Sequence, residues 1–450
     1  MTGWPDPVIE MIPAYLGRQR WYAGSESPSP EAVGLVDSDE LIATSGGVHR
    51  LLWAVVEAEG PRYQLLVGER PMGEVAEFLN GHEDAVLGAT DHAYYYDGTL
   101  DAELALALLH VVTNGAEKAE MVRPVGVEQS NTSLVYDDRL ILKVFRRLPE
   151  GPNPDVEVTE ALDRVGFNHL PAPLAVWRRG GLDLIMVQEF LAGGSEGWAL
   201  ALTSLRDLYA AGPDDPSQAG GDFAAEAHRL GLMTAKMHLA MAEAFGVDRS
   251  EFRTVGWPRV LDNVETGLRG VVGAAWTGSA AELMDRLRSV GDPGPAIRVH
   301  GDYHLSQVMR TDIGWFVLDF EGEPARSLEE RLAKTSPLKD VTGMLRSFQY
   351  ASNFVLLERE DHELERLVGL AEAWEARNRD AFVGGYLDAT GIDALLPEGG
   401  ETRQAVSLAF ELDKALYELS YEKAYRPDRA VIPEGAIARL LERWPSQLSG

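Results

Sequence analysis

Val299-His300-Gly301-Asp302-Tyr303-His304-Leu305-Ser306-Gln307-Val308 is the stretch on which the reading of this chain turns. It begins in one short apolar run, Ala296 to His300, and precedes another, Trp315 to Phe320, whose β-branched and aromatic residues read as strands. The second run ends in Leu318-Asp319-Phe320-Glu321. A carboxylate in a turn, an amide after it and a second carboxylate at a strand exit make a set of hard oxygen donors, which suits Mg²⁺. Phosphoryl transfer to a hydroxyl needs such a set: one carboxylate to orient and deprotonate the acceptor, and further oxygens to hold the metal on the triphosphate. On that reading Asp302 is the base, and Gln307 and Asp319 are metal ligands. Either half alone reads equally well as turn capping, because Asp and Gly are common turn residues. Both halves together, each beside an apolar strand, favour the chemistry.

Upstream, Ala32 to Leu41, His49 to Glu59 and Arg62 to Arg70 are β-like runs separated by turn signals, and Ala102 to Val112 has helical periodicity. From Met121 to Leu191 the pattern is β-rich again, with one helical segment at Asp155 to Gly166. Lys143 is the one cation in the strand Leu140 to Phe145, and Glu157 and Glu160 lie in the helical segment. A strand lysine on the α- and β-phosphates, oriented by a helix glutamate, is what a kinase-like lobe requires, and Glu157 is the preferred partner. The alternative is an edge-strand lysine that discourages aggregation. Gln129-Ser130-Asn131-Thr132-Ser133 reads either as a polar hairpin turn or as a turn presenting backbone N–H groups to phosphates. No GxxxxGK[ST] pattern occurs. Gln188-Glu189-Phe190-Leu191, at a strand exit before Gly193-Gly194, reads as an adenine-contacting hinge or simply as a strand followed by a glycine turn.

Beyond Gly193 the chain is mostly helical, with candidates at Asp222 to Phe245, Pro337 to Leu357, Glu363 to Tyr386 and Thr402 to Tyr425. In the last of these, Asp413, Tyr417 and Tyr421 fall near one face, as do Lys414, Glu418 and Tyr421. Rings beside carboxylates are what a sugar site uses; an amphipathic helix with half-buried tyrosines gives the same pattern.

The 450 residues exceed what one core commonly serves, and 45% hydrophobic content fills two or three. We divide the chain into 1–92, a cap; 93–192, a β-rich nucleotide-binding part; and 193–450, a mostly helical part. Without cysteine there is no disulfide scaffold, thiolate nucleophile or cysteine-held metal, and the composition fits a reducing, cytoplasmic setting. Forty-one Lys and Arg against 71 Asp and Glu give a net charge of -30, which repels nucleic acid and anionic membrane and favours neutral or cationic small molecules. The opening residues show no export signal, and no window approaches the roughly 18 apolar residues of a membrane span.

HGDYHLSQ, followed by LDFEGEP and SPLKDVTGMLRSF, resembles the actinobacterial maltokinase family and its close relatives, the actinobacterial glucosamine kinases. The blocks QRWYAG, QSNTSLVYDDRLILKVFRR, NPDVEVTEAL, TSLRDLYA, GGDFAAEAHRLG and ELDKALYELSYE follow in the family's order. The resemblance implies an α+β, bilobal protein-kinase-like fold, as in aminoglycoside phosphotransferases, with an N-terminal β-rich cap domain. It implies phosphorylation of a sugar by ATP and Mg²⁺. Maltokinases make maltose 1-phosphate for α-glucan assembly, which links to trehalose metabolism and points to an enzyme of that pathway as a partner; the glucosamine kinases make a 6-phosphate. Carried over by position, it makes Asp302 the base, Gln307 and Asp319 the metal ligands, Lys143 the phosphate-binding lysine and Gln129 to Ser133 the phosphate loop. On the sugar-site reading of the last helix, Asp413, Tyr417, Glu418 and Tyr421 face the sugar, and His304 joins them. One departure stands out: the family's Arg-Pro-Asp-Trp is here Arg426-Pro427-Asp428-Arg429. The change removes an indole platform and adds a cation, which leans towards maltose over an aminosugar. A non-catalytic pseudokinase is the third reading, and the intact catalytic residue types speak against it.

Overall fold

The computed structural model describes residues 4–44, 46–74, 77–126, 131–211, 215–219, 221–272, 278–357 and 364–447. Contacts divide the chain into two units: Met1–Glu160 with Pro171–Ala192, and Ala161–Leu170 with Gly193–Gly450.

The first unit contains α1 (Asp6–Leu16), β1 (Val33–Ala43), β2 (Arg50–Ala58), β3 (Arg62–Pro71), β4 (Val86–Ala89), β5 (Ala93–Asp97) and α2 (Ala102–Val112). It continues with β6 (Val122–Pro124), β7 (Asn131–Tyr136), β8 (Leu140–Phe145), β9 (Arg147–Leu148), α3 (Pro154–Arg164, of which Ala161 onward belongs to the second unit), β10 (Pro173–Arg179) and β11 (Leu182–Glu189). One sheet has the order β1-β2-β3-β5-β4, with β9 against β3; the other has the order β10-β11-β8-β7-β6. β2 reads as an unbroken apolar run because both of its faces are covered. Leu51, Trp53 and Val55 join a core with α2 and the second sheet, while Leu52, Ala54 and Val56 alternate onto α1 and Trp21. Gln64 ties the two sheets together, accepting from Trp53 Nε1 at 3.0 Å and donating to the Leu184 carbonyl at 2.9 Å. Beneath it the buried guanidinium of Arg146 donates to Asp97 at 2.5 Å, and Tyr15 donates to the same carboxylate at 2.9 Å. β5 was not anticipated, since its Tyr94-Tyr95-Tyr96 run hides the alternation; it pairs with β3 and extends the first sheet beyond residue 92.

The second unit contains β12 (Ser195–Glu196), α4 (Gly197–Ala211), α5 (Ala224–Phe245), α6 (Trp257–Val272), α7 (Ser279–Arg288), β13 (Val308–Arg310) and β14 (Trp315–Val317). Helices α8 (Leu328–Leu332), α9 (Leu338–Leu357), α10 (Leu364–Leu387), α11 (Gly400–Tyr425) and α12 (Val431–Gln447) follow. β12, β13 and β14 form a small antiparallel sheet in that order. The run Ala296 to His300, expected as a strand, makes only isolated bridges, Ala296 to Asp248 and Ile297 to Thr335. Its apolar residues are there to be buried, and among the described residues no strand lies alongside to extend the ladder. Among the described residues no helix is long and apolar enough to cross a membrane.

Two glycines let α5 and α10 pack backbone to backbone. A Cβ on Gly385 would sit 1.9 Å from the His228 carbonyl oxygen, and one on Gly231 would sit 2.0 Å from that of Phe382. We therefore expect Gly385→Ala to force the helices apart at a cost of about 1–3 kcal/mol. Thermal unfolding followed by circular dichroism should show a lowered midpoint, and an unchanged one would contradict this packing.

Candidate active site

The loop after Val299 is held by its backbone. Asp340, in the first turn of α9, accepts from His300 N at 2.8 Å and from Gly301 N at 2.9 Å. Its carboxylate also faces His238 Nε2 at 3.0 Å, and His238 Nδ1 meets the Tyr386 hydroxyl at 2.8 Å. Burial pushes the Asp340 carboxyl up, but the hydrogen bond and charge of His238 and the Gly301 amide outweigh it and hold it below the usual carboxylate range. Gly301 has φ +88°, a conformation that favours glycine, and this turns the chain sharply before Asp302. His300 Nε2 lies 2.9 Å from the Leu318 carbonyl, and Nδ1 lies 3.4 Å from Asp302 N, an arrangement that suits an Nε2-protonated ring donating to one and accepting from the other.

The side chain of Asp302 is then fixed from another direction. Lys414 Nζ, on α11, is 2.8 Å from Asp302 Oδ1 and 2.8 Å from Glu323 Oε1. Glu323 also receives Arg326 Nε at 3.2 Å and lies 3.8 Å from Lys339 Nζ, while Arg326 Nη2 reaches both Asp413 oxygens at 3.2 and 3.0 Å. His304 Nε2 stands 3.8 Å from the other Asp302 oxygen. Burial pushes the Asp302 carboxyl up, yet the charge of Lys414, helped by His304, holds it well below the usual range. For Asp413 burial wins over Arg326, and its carboxyl is raised.

Gln307 and Asp319 are brought together across β13 and β14. Leu318 N donates to the Gln307 carbonyl at 2.9 Å, and Gln307 Nε2 lies 3.4 Å from Asp319 Oδ2. Asp319 has φ +60°, strained for a residue with a side chain, and such strain clusters at functional sites. Glu321, which the sequence had not singled out, offers a carboxylate oxygen within 4.8 Å of one from Asp319.

In the first unit, β8 is flanked by β7 and β11, so Lys143 is not on a sheet edge. Its Nζ is 2.9 Å from Asp155 Oδ2, which makes Asp155 an ion-pair partner, two residues before the expected Glu157. Asn131, Thr132 and Ser133 are strand residues paired with Phe145, Val144 and Lys143, not turn residues, because the β-forming run begins with them. Gln129 and Ser130 lie outside the described residues. Gln188 and Glu189 end β11, where Glu189 N donates to the Ala172 carbonyl at 2.9 Å, and Leu191 follows in the exit.

Of the expected sugar residues, His304, Asp413 and Tyr417 gather around the Lys414 cluster. The Tyr417 ring lies 5.1 Å from Lys414 Nζ and 5.8 Å from the Arg326 guanidinium, and burial, reinforced by Glu323, pushes its hydroxyl up to about 12. Glu418 is bonded by the buried Arg346. Tyr421 packs on Tyr425 with centroids 4.8 Å apart, and Arg429 lies over Phe354 at 5.0 Å. Lys414, Glu323, Arg326 and Asp340 were missed as site residues. The one available signal was that Lys414, Glu323 and Asp340 all stand inside the quoted family blocks.

Residues 15–101 match the maltokinase N-terminal cap domain, and residues 122–399 match the phosphotransferase enzyme family. A glucosamine kinase of Streptacidiphilus jiangxiensis is 28% identical over 286 residues, 60% of this chain and 63% of that protein, a little under two thirds of its length. One of Mycolicibacterium smegmatis is 27% identical over 347 residues, 74% and 82% of the two chains. A solved glucosamine kinase in complex with glucosamine, ADP and inorganic phosphate has a TM-score of 0.67 at 21% identity, covering 98% of this chain and 100% of that one. A second crystal form has a TM-score of 0.69 at 23% identity, with the same coverage. At that identity the likeness is one of fold.

Three outcomes are expected from this geometry. If Asp302 is the general base, Asp302→Asn reduces turnover by about 10²–10⁴, which initial rates would show. Because the folded carboxyl is depressed, Asp302 stays ionised down through the ordinary carboxylate value of about 3.9, and its ion-pair stabilisation is lost only as pH falls through the lower folded value. A pH profile of kcat/KM should therefore show no acid limb from Asp302 at neutral pH. Asp340→Ala frees the loop backbone, and a misplacement of about 1 Å costs on the order of 10²-fold. The loss should fall on kcat more than on KM in steady-state kinetics, and equal effects would argue against a positioning role.

Proposed function

The chain belongs to the phosphotransferase enzyme family, and from that premise we propose that it is an ATP-dependent sugar kinase whose acceptor is maltose. The single observation that carries the acceptor is the maltokinase-type cap at residues 15–101 joined to the phosphotransferase domain at residues 122–399. The kinase-like fold with an N-terminal cap agrees with it.

In this reading Asp302 orients the acceptor hydroxyl and takes its proton as the oxygen attacks the γ-phosphorus. The bond to the β,γ-bridging oxygen breaks, and ADP leaves. Asp302 suits the role because Asp340 fixes the backbone of the two residues before it, Lys414 fixes one carboxylate oxygen and His304 faces the other at 3.8 Å. The oxygen donors of Gln307 and Asp319, with Glu321 beside them, fit Mg²⁺, and these residues would hold it. When bound, the ion neutralises charge on the transferring phosphate. Lys143, oriented by Asp155 and with Glu157 in the same helical turn, would contact the α- and β-phosphates. Asn131, Thr132 and Ser133, with Gln129 and Ser130 before them, would line the phosphates, and the Gln188 to Leu191 exit would contact adenine.

A glucosamine kinase making the 6-phosphate is the second reading, and the curated relatives favour it. ADP release with maltose, glucosamine, glucose and trehalose separates the two. We expect turnover with maltose and, by NMR of the product, phosphate on O1. Turnover with glucosamine alone, phosphorylated at O6, would sink the maltose reading and leave the kinase.

A further inference from the structure

The carboxylates that surround the proposed base are matched by protein cations. Asp302 and Glu323 share Lys414 at 2.8 Å each, Glu323 also has Arg326 at 3.2 Å and Lys339 at 3.8 Å, and Asp413 has Arg326 at 3.0 Å. One turn along α11 from Lys414, Glu418 is bonded by Arg346. We propose that Lys414 determines acceptor class, its ammonium beside Asp302 excluding sugars that carry an ammonium group and admitting uncharged ones. This rests on the sugar-kinase reading and deepens it by naming the kind of sugar and the residue that selects it.

An ammonium group entering such a site loses water and needs a carboxylate in exchange. At Asp302, Glu323 and Asp413 that place is already taken by a cation of the protein. The ligand would have to displace Lys414 or sit near it. Taken alone, two like charges about 6 Å apart at an effective dielectric constant of about 20 weaken binding on the order of 100-fold, and the attraction of the Asp302 carboxylate, already shared with Lys414, returns part of that. A hydroxyl meets no such repulsion and can still bond to the open side of Asp302.

Lys414 keeps its charge, since Asp302 and Glu323 outweigh burial and hold its amine well above the usual range. Its place is fixed as well, by two short ion pairs and by the Tyr417 ring at 5.1 Å. Discrimination against an aminosugar is therefore built into a rigid group. The two relatives described above, 28% and 27% identical over the matched residues, are glucosamine kinases, so the inference sets this chain apart from them in acceptor.

The test compares kcat/KM for glucose and glucosamine, which differ by one hydroxyl against one ammonium group, with maltose alongside. Wild-type protein should favour the neutral sugars over glucosamine by more than about tenfold. Lys414→Gln combined with Glu323→Gln removes one cation and one carboxylate, so the local balance is kept, and it should lose at least about tenfold of that preference. Lys414→Arg should retain the preference. A lysine that merely holds the fold together would lower all three sugars in parallel. Should the double variant fail to fold, the wild-type protein still gives the answer: glucosamine should gain on glucose as rising pH removes the sugar's own proton. Glucosamine used as well as glucose across that range, or a preference unchanged in the double variant, overturns the inference and leaves the sugar-kinase reading standing. No turnover with any sugar sinks that reading, and the inference with it.

Discussion

The buried carboxylate of Asp340 is the constraint on which the site is built. It gathers three donors, the His300 and Gly301 amides and His238, at 2.8, 2.9 and 3.0 Å. Taking a carboxylate out of water is expensive, and only a set of charge-assisted bonds of this kind offsets it. The result is a loop whose backbone is fixed from the helical side of the second unit, so that Asp302 inherits the position of α9. From there the order spreads outward. His300 carries it to the Leu318 carbonyl at the exit of β14, and the next residue is Asp319, held at φ +60°. The proposed base and a proposed metal ligand are thus set by one connected group of hydrogen bonds.

The ion pairs around Lys414 do a different job. Exposed pairs contribute at most about 1 kcal/mol, and a buried pair often does no better than hydrophobic residues of similar volume. Net stability is therefore a poor reason for burying a lysine between Asp302 and Glu323. What such a cluster does supply is geometry and charge. It locks one Asp302 oxygen, leaves the other facing His304, and places a positive charge beside the proposed base. Breaking it by halves would leave a buried charge alone, so its members are interdependent. Arg326, shared by Glu323 and Asp413, extends the dependence to the expected sugar face of α11.

Periodicity made the regular parts legible. β2, β3, α2, α5, α9 and α11 all repeat their apolar residues at strand or helix spacing over enough length to be seen. β5 escaped because three tyrosines blur inside from outside, and Ala296 to His300 misled because an apolar run is equally at home as buried irregular chain. In the site, Asp302, Gln307 and Asp319 were legible from residue type and spacing, since they lie on one continuous stretch. Lys414 was not, because 112 residues separate it from Asp302 and no local rule couples positions that far apart. The same holds for Asp340, which touches the loop from 40 and 39 residues away. Asp155 was not read as a partner of Lys143, because strand position and helical register together decide which carboxylates reach a strand lysine, and a sequence fixes neither.

The net charge of -30 and the cation at the site pull in opposite directions on a charged acceptor. Taken alone, the surface draws an ammonium sugar in. Surface charges, however, act through water and salt, where interactions fade beyond about 8 Å at physiological ionic strength. Lys414 acts at a few ångströms through protein, where the effective dielectric constant is several-fold lower than in water. The long-range field raises the rate at which cations arrive, and the short-range one sets which acceptors stay. Selectivity is a difference in binding at the reacting position, so the nearer charge decides it. An acidic protein can in this way reject a cation at its own active site.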